Sequence, residues 1–424
     1  MTKAAVVWLV MASVAAPLWA GQSSGVVDKE PAGQESVALI TLDQLTQVVL
    51  NHNHVLRAAQ WGVDGAKAGV KTASALINPK VELQQGQWQP SALNRQSVRA
   101  WSIAQPLENP TVRSARIQAA ESGLVVSGQQ LAMAKNDLAA QVRTRAYESL
   151  LYQSEAETAA ETLALLQQVR ERIRVRVATG EAARYELIKA DAEVIHARER
   201  QQSSQLLAQQ AWLDINRLAA GQLPMRWKLA ATFHDDVEAA DLVQLQAQAD
   251  QNNPELISLK HELERAQAQL RLVQAGRWPG VELRYGENQE PNLRQTTWGV
   301  VVQLPLLDQR TGPVAEAHAE VDRIKTRLEG RRYELQQQVV LAWRSLEMAR
   351  LRVEALGQGV VREAEAALRV AQAAYQFGER GILDVLDAQR VLRGVRSDLL
   401  QARYQLHAAR IALDQLAGRF AHAS

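Results

Sequence analysis

The chain contains no cysteine. That excludes a disulfide framework and any lipid anchor attached through an N-terminal cysteine. Aromatic residues make up only 5% of it, whereas Ala, Leu, Gln, Glu and Arg dominate, which is the profile of long packed helices. Neither sign of charge prevails: 48 Lys and Arg face 46 Asp and Glu, a net +2, so nothing electrostatic points to nucleic acid. Beyond an apolar run at residues 4–18 there is no stretch of about 18 apolar residues, so no further helix is expected to span a membrane. Catalytic patterning is also lacking. Of the eight histidines only His52 and His54 are close, and at i,i+2 on a helix they point apart. No HxxxH spacing occurs, and His234, Asp235 and Asp236 read as a solvated linker. Gly180 and Gly378 belong to no phosphate-binding loop. The expectation is a protein that is not an enzyme, with no cofactor and no metal site.

What is present begins with an export signal. Lys3 supplies its positive end, residues 4–18 its apolar stretch and Ala20 a small residue before cleavage. Residues 375–416 then set the pattern for the rest. Val385, Leu392, Leu399, Leu406 and Leu413 recur every seven positions, and Ala388, Val395, Ala402, Ala409 and Leu416 follow three residues later. Two apolar seams in heptad register describe a helix packed along its length, with Leu399 and Leu406 held between neighbours. Just before it, residues 377–381 read as a tight turn between antiparallel helices.

The chain contains this hairpin twice. GEAARYELIKADAE from Gly180 aligns with GERGILDVLDAQRV from Gly378, Asn53 with Asn253, and PKVEL from Pro79 with PGVEL from Pro279. The offset stays near 196–200 residues, so the protein is a tandem duplication. The expected division is a signal peptide at 1–20, a flexible leader at 21–38, a first repeat at 39–221, a linker at 222–238, a second repeat at 239–418 and a tail at 419–424. Each repeat is a helix, a strand pair (80–105 and 280–304), a long helix, a turn near 180 or 378, and a returning helix. Without proline up to Thr179, the first long helix reaches on the order of 100 Å.

Trp88, Trp101, Trp278 and Trp298 fall in or beside the strands, as a membrane-interface girdle would. A small soluble sheet with buried tryptophans is the alternative. Strands in a bilayer must close into a barrel, and about eight are needed, so four strands per chain demand that the barrel be shared. Two chains would close eight; three would close twelve and leave a lumen.

The duplication, the strand pairs and the two turn motifs, GEAARYELIKAD and FGERGILDVLDAQ, together resemble the TolC-type outer-membrane efflux proteins. The short tail and the Asn-Pro-x-Val-Glu-Leu segment at Asn78 are most similar to the cobalt–zinc–cadmium resistance branch. The resemblance implies a mainly α homotrimer: a shared 12-stranded transmembrane β-barrel in outer-membrane lipid, continued by an α-barrel tunnel across the periplasm of a Gram-negative bacterium. It implies docking, through tips at Gly180, Glu181, Gly378 and Glu379, with a periplasmic adaptor and an inner-membrane resistance-nodulation-division pump driven by protons. It places Asp384 and Asp387 at a pore constriction, and Tyr375, Arg380 and Glu186 among contacts that hold the gate closed. Acidic residues also favour a helix N-terminus for its dipole, which is the alternative for the two aspartates. Besides heavy-metal efflux, drug efflux and type I protein secretion would suit the same duct. A periplasmic adaptor or coiled-coil scaffold without a pore is the reading of a different class.

Overall fold

The computed structural model describes residues 38–88, 96–225, 227–235, 241–290 and 293–421. The expected signal peptide, the leader up to residue 37, Asp236 and residues 422–424 of the tail lie outside these.

Both halves run through the same elements. The first contains β1 (Ala38–Ile40), α1 (Leu42–His52), α2 (His54–Ser74), β2 (Lys80–Trp88), β3 (Gln96–Leu107), α3 (Pro110–Ala178) and α4 (Arg184–Leu218). The second contains β4 (Trp227–Leu229), α5 (Leu242–Asn252), α6 (Pro254–Ala275), β5 (Gly280–Glu290), β6 (Leu293–Gln303), α7 (Thr311–Glu354), a π-helical segment (Ala355–Val360), α8 (Val361–Gln376) and α9 (Ile382–Leu416). Helix α3 has 69 residues, and the two return helices, α4 and α9, have 35 each.

Local chemistry explains the boundaries. Thr41 and Gln44 form a reciprocal capping box that starts α1 (3.2 and 2.9 Å). Asn53 then breaks the helix, its Oδ1 accepting from Val55 N at 2.8 Å while its Nδ2 donates to Leu218 O at 3.1 Å. His52 and His54 therefore flank a break and do not share a helix. Asn253 repeats the device, capping α6 and donating to Leu416 O at 3.0 Å. Each asparagine thus stitches the α1/α2 or α5/α6 break to the end of a return helix.

Those helix ends are also paired. Gly418 has φ +69°, with Gly418 N bonded to Gln415 O and Arg419 N to Asp414 O, both at 3.0 Å. At the matching end of α4, Ala220 takes the left-handed conformation, φ +51°, as does Gly221 after it, φ +73°, with the same two bonds to Arg217 O and Asn216 O.

The long helix of the second repeat departs from a simple heptad. Its seam runs from Val314 through Leu335, Ala349 and Leu356, and seven residues later comes Glu363. Burial resumes instead at Ala364, Leu368 and Ala371. The wide turn of the π segment, which contains Gly357 and Gly359, absorbs the extra residue and restores the apolar stripe.

Two equivalent cores lie at the helix crossings. Leu45, Val49 and Leu56 pack with Val142 and Ile215; Leu245, Ala249 and Leu256 pack with Val339, Leu406 and Leu413. Leu406 is fully buried and Leu399 sits half-buried at the rim of that second core. Nearer the turns a third core joins both hairpins, with Ile173, Ala190 and Val194 against Leu368, Ile382 and Leu386.

The four long strands form one antiparallel sheet in the order β2-β3-β5-β6, with β2 and β6 at its edges. Strands β1 and β4 pair in parallel elsewhere, tying the start of the first repeat to the inter-repeat linker.

Candidate functional site

The sheet has two chemically distinct faces. Because side chains alternate and the registers contain no bulge, Val81, Leu83, Trp101, Ile103, Leu107, Val281, Leu283, Tyr285, Trp298, Val300 and Val302 share one face. The other carries Glu82, Gln84, Ser102, Glu282, Arg284, Asn288, Thr297 and Gln303 between small residues, with Val98, Pro106, Leu293 and Val301 as its apolar members. The apolar face is not uniform in height. Nearer the helices it is apolar except for Gln105, whose Nε2 donates to Ile77 O and Pro106 O, and it turns polar toward the strand ends at Glu290 and Leu293, where Gln85, Arg99, Glu287 and Arg294 lie.

Three of the expected tryptophans separate into two levels. Trp101 and Trp298 flank Tyr285, the Trp101 and Tyr285 ring centroids being 5.6 Å apart, at the upper limit of the apolar zone. Trp278 lies outside the strands, just before β5, at the lower limit. Trp298 is 84% exposed and Trp278 64%. Trp88 ends β2, and its side chain lies outside the described residues.

At the opposite end of the molecule are the two hairpin turns. Gly180 (φ +79°) and Gly378 (φ +75°) take the left-handed conformation, and Glu181 N and Glu379 N bond back to Arg176 O and Ala374 O at 2.8 and 2.9 Å. The aligned motifs therefore close in the same way. Tyr375 packs its ring into the third core, 5.0 Å beneath the Arg176 guanidinium, and its hydroxyl is buried with no hydrogen-bond partner among the described residues. Arg380, in the turn before α9, reaches Asp384 of that helix's first turn at 3.8 Å. Asp387 lies 3.1 Å from Arg390, which also bonds Glu193 of α4. Both aspartates keep substantial exposure. Glu186 occupies the first turn of α4, and among the described residues no hydrogen bond or ion pair joins it to Tyr375 or Arg380.

A third feature was not anticipated. The inter-repeat linker is pinned across α3 and α9. His407 is buried and stacks on Tyr147 (centroids 4.1 Å, 11°), Phe233 packs beside both, and His407 Nε2 accepts from His234 N at 3.3 Å. Asp235, expected to be solvated, instead grips Arg403 through two bonds of 2.6 and 2.7 Å. The available signal was position: His407 directly follows Leu406 of the seam, where an exposed residue is not expected.

Burial, reinforced by His234 and opposed by Asp235, lowers the His407 pKa to about 4. An unfolded chain would protonate this histidine near its ordinary 6.5, so the unfolded state binds more protons between those values. The contribution is complete above pH 6.5 and is lost as pH falls toward 4, on the order of 3 kcal/mol per chain. His407→Phe, which can still stack on Tyr147, should flatten the fall in melting temperature between pH 7 and pH 4.5. Parallel pH profiles of the two proteins would show this histidine to be silent.

Among the described residues no helix is long and apolar enough to cross a membrane, and no three His, Asp or Glu side chains gather to hold a metal ion. Residues 45–221 and 245–419 each match the family model described as outer membrane efflux protein. The chain belongs to that family. The family is one of transport channels, and the chain is an outer-membrane efflux protein. Among its relatives is the cobalt-zinc-cadmium resistance protein CzcC of Cupriavidus metallidurans, 25% identical over 395 residues, which covers 91% of this chain and 92% of CzcC. The solved MtrE outer membrane channel of Neisseria gonorrhoeae, in its open state, superposes with a TM-score of 0.76 at 17% identity, over 92% of this chain and 94% of MtrE. CusC superposes with a TM-score of 0.71 at 19% identity, over 92% of this chain and 95% of CusC. Family and fold thus agree with the resemblance read from the turn motifs, and a pore-free adaptor is set aside.

Proposed function

We propose that the chain forms a homotrimeric exit duct for a heavy-metal efflux pump, with no catalytic step of its own. Substrate would pass from a proton-driven inner-membrane pump and a periplasmic adaptor, through the tunnel, to the outside. The observation that carries this reading is the sheet, apolar on one face, polar on the other and unpaired at both edges. Open edges cannot stand in lipid, so β6 of one chain would pair with β2 of the next, and three chains would close twelve strands. Exposed apolar positions spaced by seven, Ile188 with Ile195 and Leu206 with Leu213 on α4, and Leu341 with Met348 on α7, support neighbouring chains along the tunnel. The metal assignment rests on the similarity to CzcC. The division into signal peptide, leader, two repeats, linker and tail belongs to the same proposal.

Two experiments test it. Expression in a Gram-negative host should give a heat-modifiable trimer in the outer-membrane fraction; a monomer in the soluble periplasm would overturn the duct. Deleting the gene should sensitise its host to divalent metals more than to hydrophobic drugs, and the reverse order would reassign the substrate.

The tips are the proposed gate. Tyr375, Arg380 and Glu186 would link neighbouring hairpins, and the Tyr375 hydroxyl, buried without a partner among the described residues, is placed to find one in the next chain. Asp384 and Asp387 would form two carboxylate rings that attract cations, softened by Arg380 and Arg390. Tyr375→Phe with Arg380→Ser should raise single-channel conductance in planar bilayers. Asp384→Asn with Asp387→Asn should lower cation selectivity severalfold and relieve block by multivalent cations. Unchanged selectivity and block would leave the aspartates as helix-dipole partners only. Gly180, Glu181, Gly378, Glu379 and the exposed Phe377 would meet the adaptor.

A further inference from the structure

Where α6 gives way to β5, the second repeat brings together two arginines, Arg277 and Arg310, one of them packed on the end of α6. Gly276 ends α6, and a Cβ there would overlap the Arg310 guanidinium, so that guanidinium lies directly on the last turn of α6. Arg310 itself holds φ +53°, unusual for a side chain with a Cβ, and its N–H is taken by Asp308 Oδ1 at 2.8 Å. Arg277 and Trp278 follow Gly276 and are exposed, as are Leu306 (73%) and Leu307 (102%) in the loop leading to Arg310. Neither Arg277 nor Arg310 makes an ion pair among the described residues.

The first repeat shows that such arginines need not be idle. At the matching end of α2, Arg113 donates to Ser74 O at 2.9 Å, and Arg116 donates to Ala73 O and pairs with Glu108 at 2.6 Å. The duplicated junction thus has one copy whose arginines are tied to the end of α2 and one where Arg277 and Arg310 lie beside exposed apolar side chains.

The level of this junction matters. The lowest apolar rung of the sheet is Val281 opposite Val302, and Trp278 lies immediately below it. That is the boundary where acyl chains end and headgroups begin, on the side nearer the helices. We propose that Arg277 and Arg310 bind the headgroup phosphate of an anionic phospholipid whose acyl chains cover Leu306, Leu307 and Trp278. Two guanidiniums more than balance the single negative charge of such a phosphodiester, and the leucines give its tails an apolar seat. Asp308, two residues before Arg310, accepts the Arg310 N–H and offsets part of this positive charge. This site rests on the barrel reading above.

The test uses the detergent-purified full-length protein, delipidated and then titrated with phosphatidylglycerol, phosphatidylethanolamine or inorganic phosphate. Native mass spectrometry would count bound lipid, and thermal melting would be followed alongside. Phosphatidylglycerol should bind and raise the melting temperature, while phosphatidylethanolamine and inorganic phosphate should do so far less. Arg277→Gln with Arg310→Gln should weaken phosphatidylglycerol binding on the order of tenfold or more. Arg277→Lys with Arg310→Lys should retain most of it, and Arg113→Gln all of it. If the double glutamine variant does not assemble, Arg277→Gln alone serves, since Arg277 fills no packed space, and should lose part of the binding. Equal binding by wild type and glutamine variants would overturn the site, as would a shift reproduced by phosphate alone or by phosphatidylethanolamine. A wild-type protein absent from the outer membrane would instead sink the barrel reading, so the two failures are distinguishable.

Discussion

Val300→Arg should all but eliminate the trimer from the outer membrane, while Gln303→Arg and Thr297→Arg leave it assembled. Val300 lies midway along the apolar zone, on the face shared with Trp298 and Val302, and pairs with Leu283 on the next strand. A guanidinium there would meet hydrocarbon at a cost of about 2–4 kcal/mol per chain, incurred in every chain of the barrel. Gln303 and Thr297 sit on the opposite face, one on each side of Val300 along β6, and so bracket its depth. An arginine at either would extend into a watery lumen. The measurement is heat-modifiable trimer recovered from outer-membrane fractions. Equal recovery of all three variants would remove the case for a lipid-facing stripe.

Gly418→Ala should destabilise the protein by about 2–5 kcal/mol, combining the left-handed backbone penalty with overpacking. Gly418 closes α9 with φ +69°, and a Cβ on it would overlap the carbonyl oxygen of Asn252, at the very break that Asn253 stitches to Leu416 O. The main chain on one side or the other must then shift. The first repeat supplies the control, for Ala220 holds the same position and conformation with its methyl accommodated. Ala220→Gly should therefore be neutral or stabilising by no more than about 1 kcal/mol. Thermal melting of both variants settles the comparison. A Gly418→Ala protein as stable as wild type would mean that the two stitched joints are equally loose.

Much of the architecture was legible because duplication makes periodicity redundant. The seams through Leu406 and Ile215 and the turns at Gly180 and Gly378 each occur twice, so one copy checks the other. Strands were harder to read, yet the alternation of Trp298, Val300 and Val302 located the apolar face of the sheet. Features that occur only once escaped. The π segment is one added residue in a seam, visible only as the change from Leu356 to Ala364 instead of Glu363. The His407 cluster depends on Phe233 and His234 of the linker crossing helices that are distant in sequence. Pairing across α4 and α9, such as Arg390 with Glu193, likewise follows from the hairpins meeting and not from either motif. The proposed gate contacts would form between chains, which no single chain can display.

The equal lengths of α4 and α9, 35 residues each, bear on stoichiometry. Both return helices end in stitched joints of the same kind and begin at turns of the same closure, so the two tips descend equally far from their joints. In a trimer they would alternate around the rim as six near-equivalent knuckles. A docking protein would then face pseudo-hexagonal symmetry laid over a true threefold axis. Two copies per channel chain could bind in nearly matching poses, and the small differences between GEAARY and GERGIL would set which of the two seats fills first.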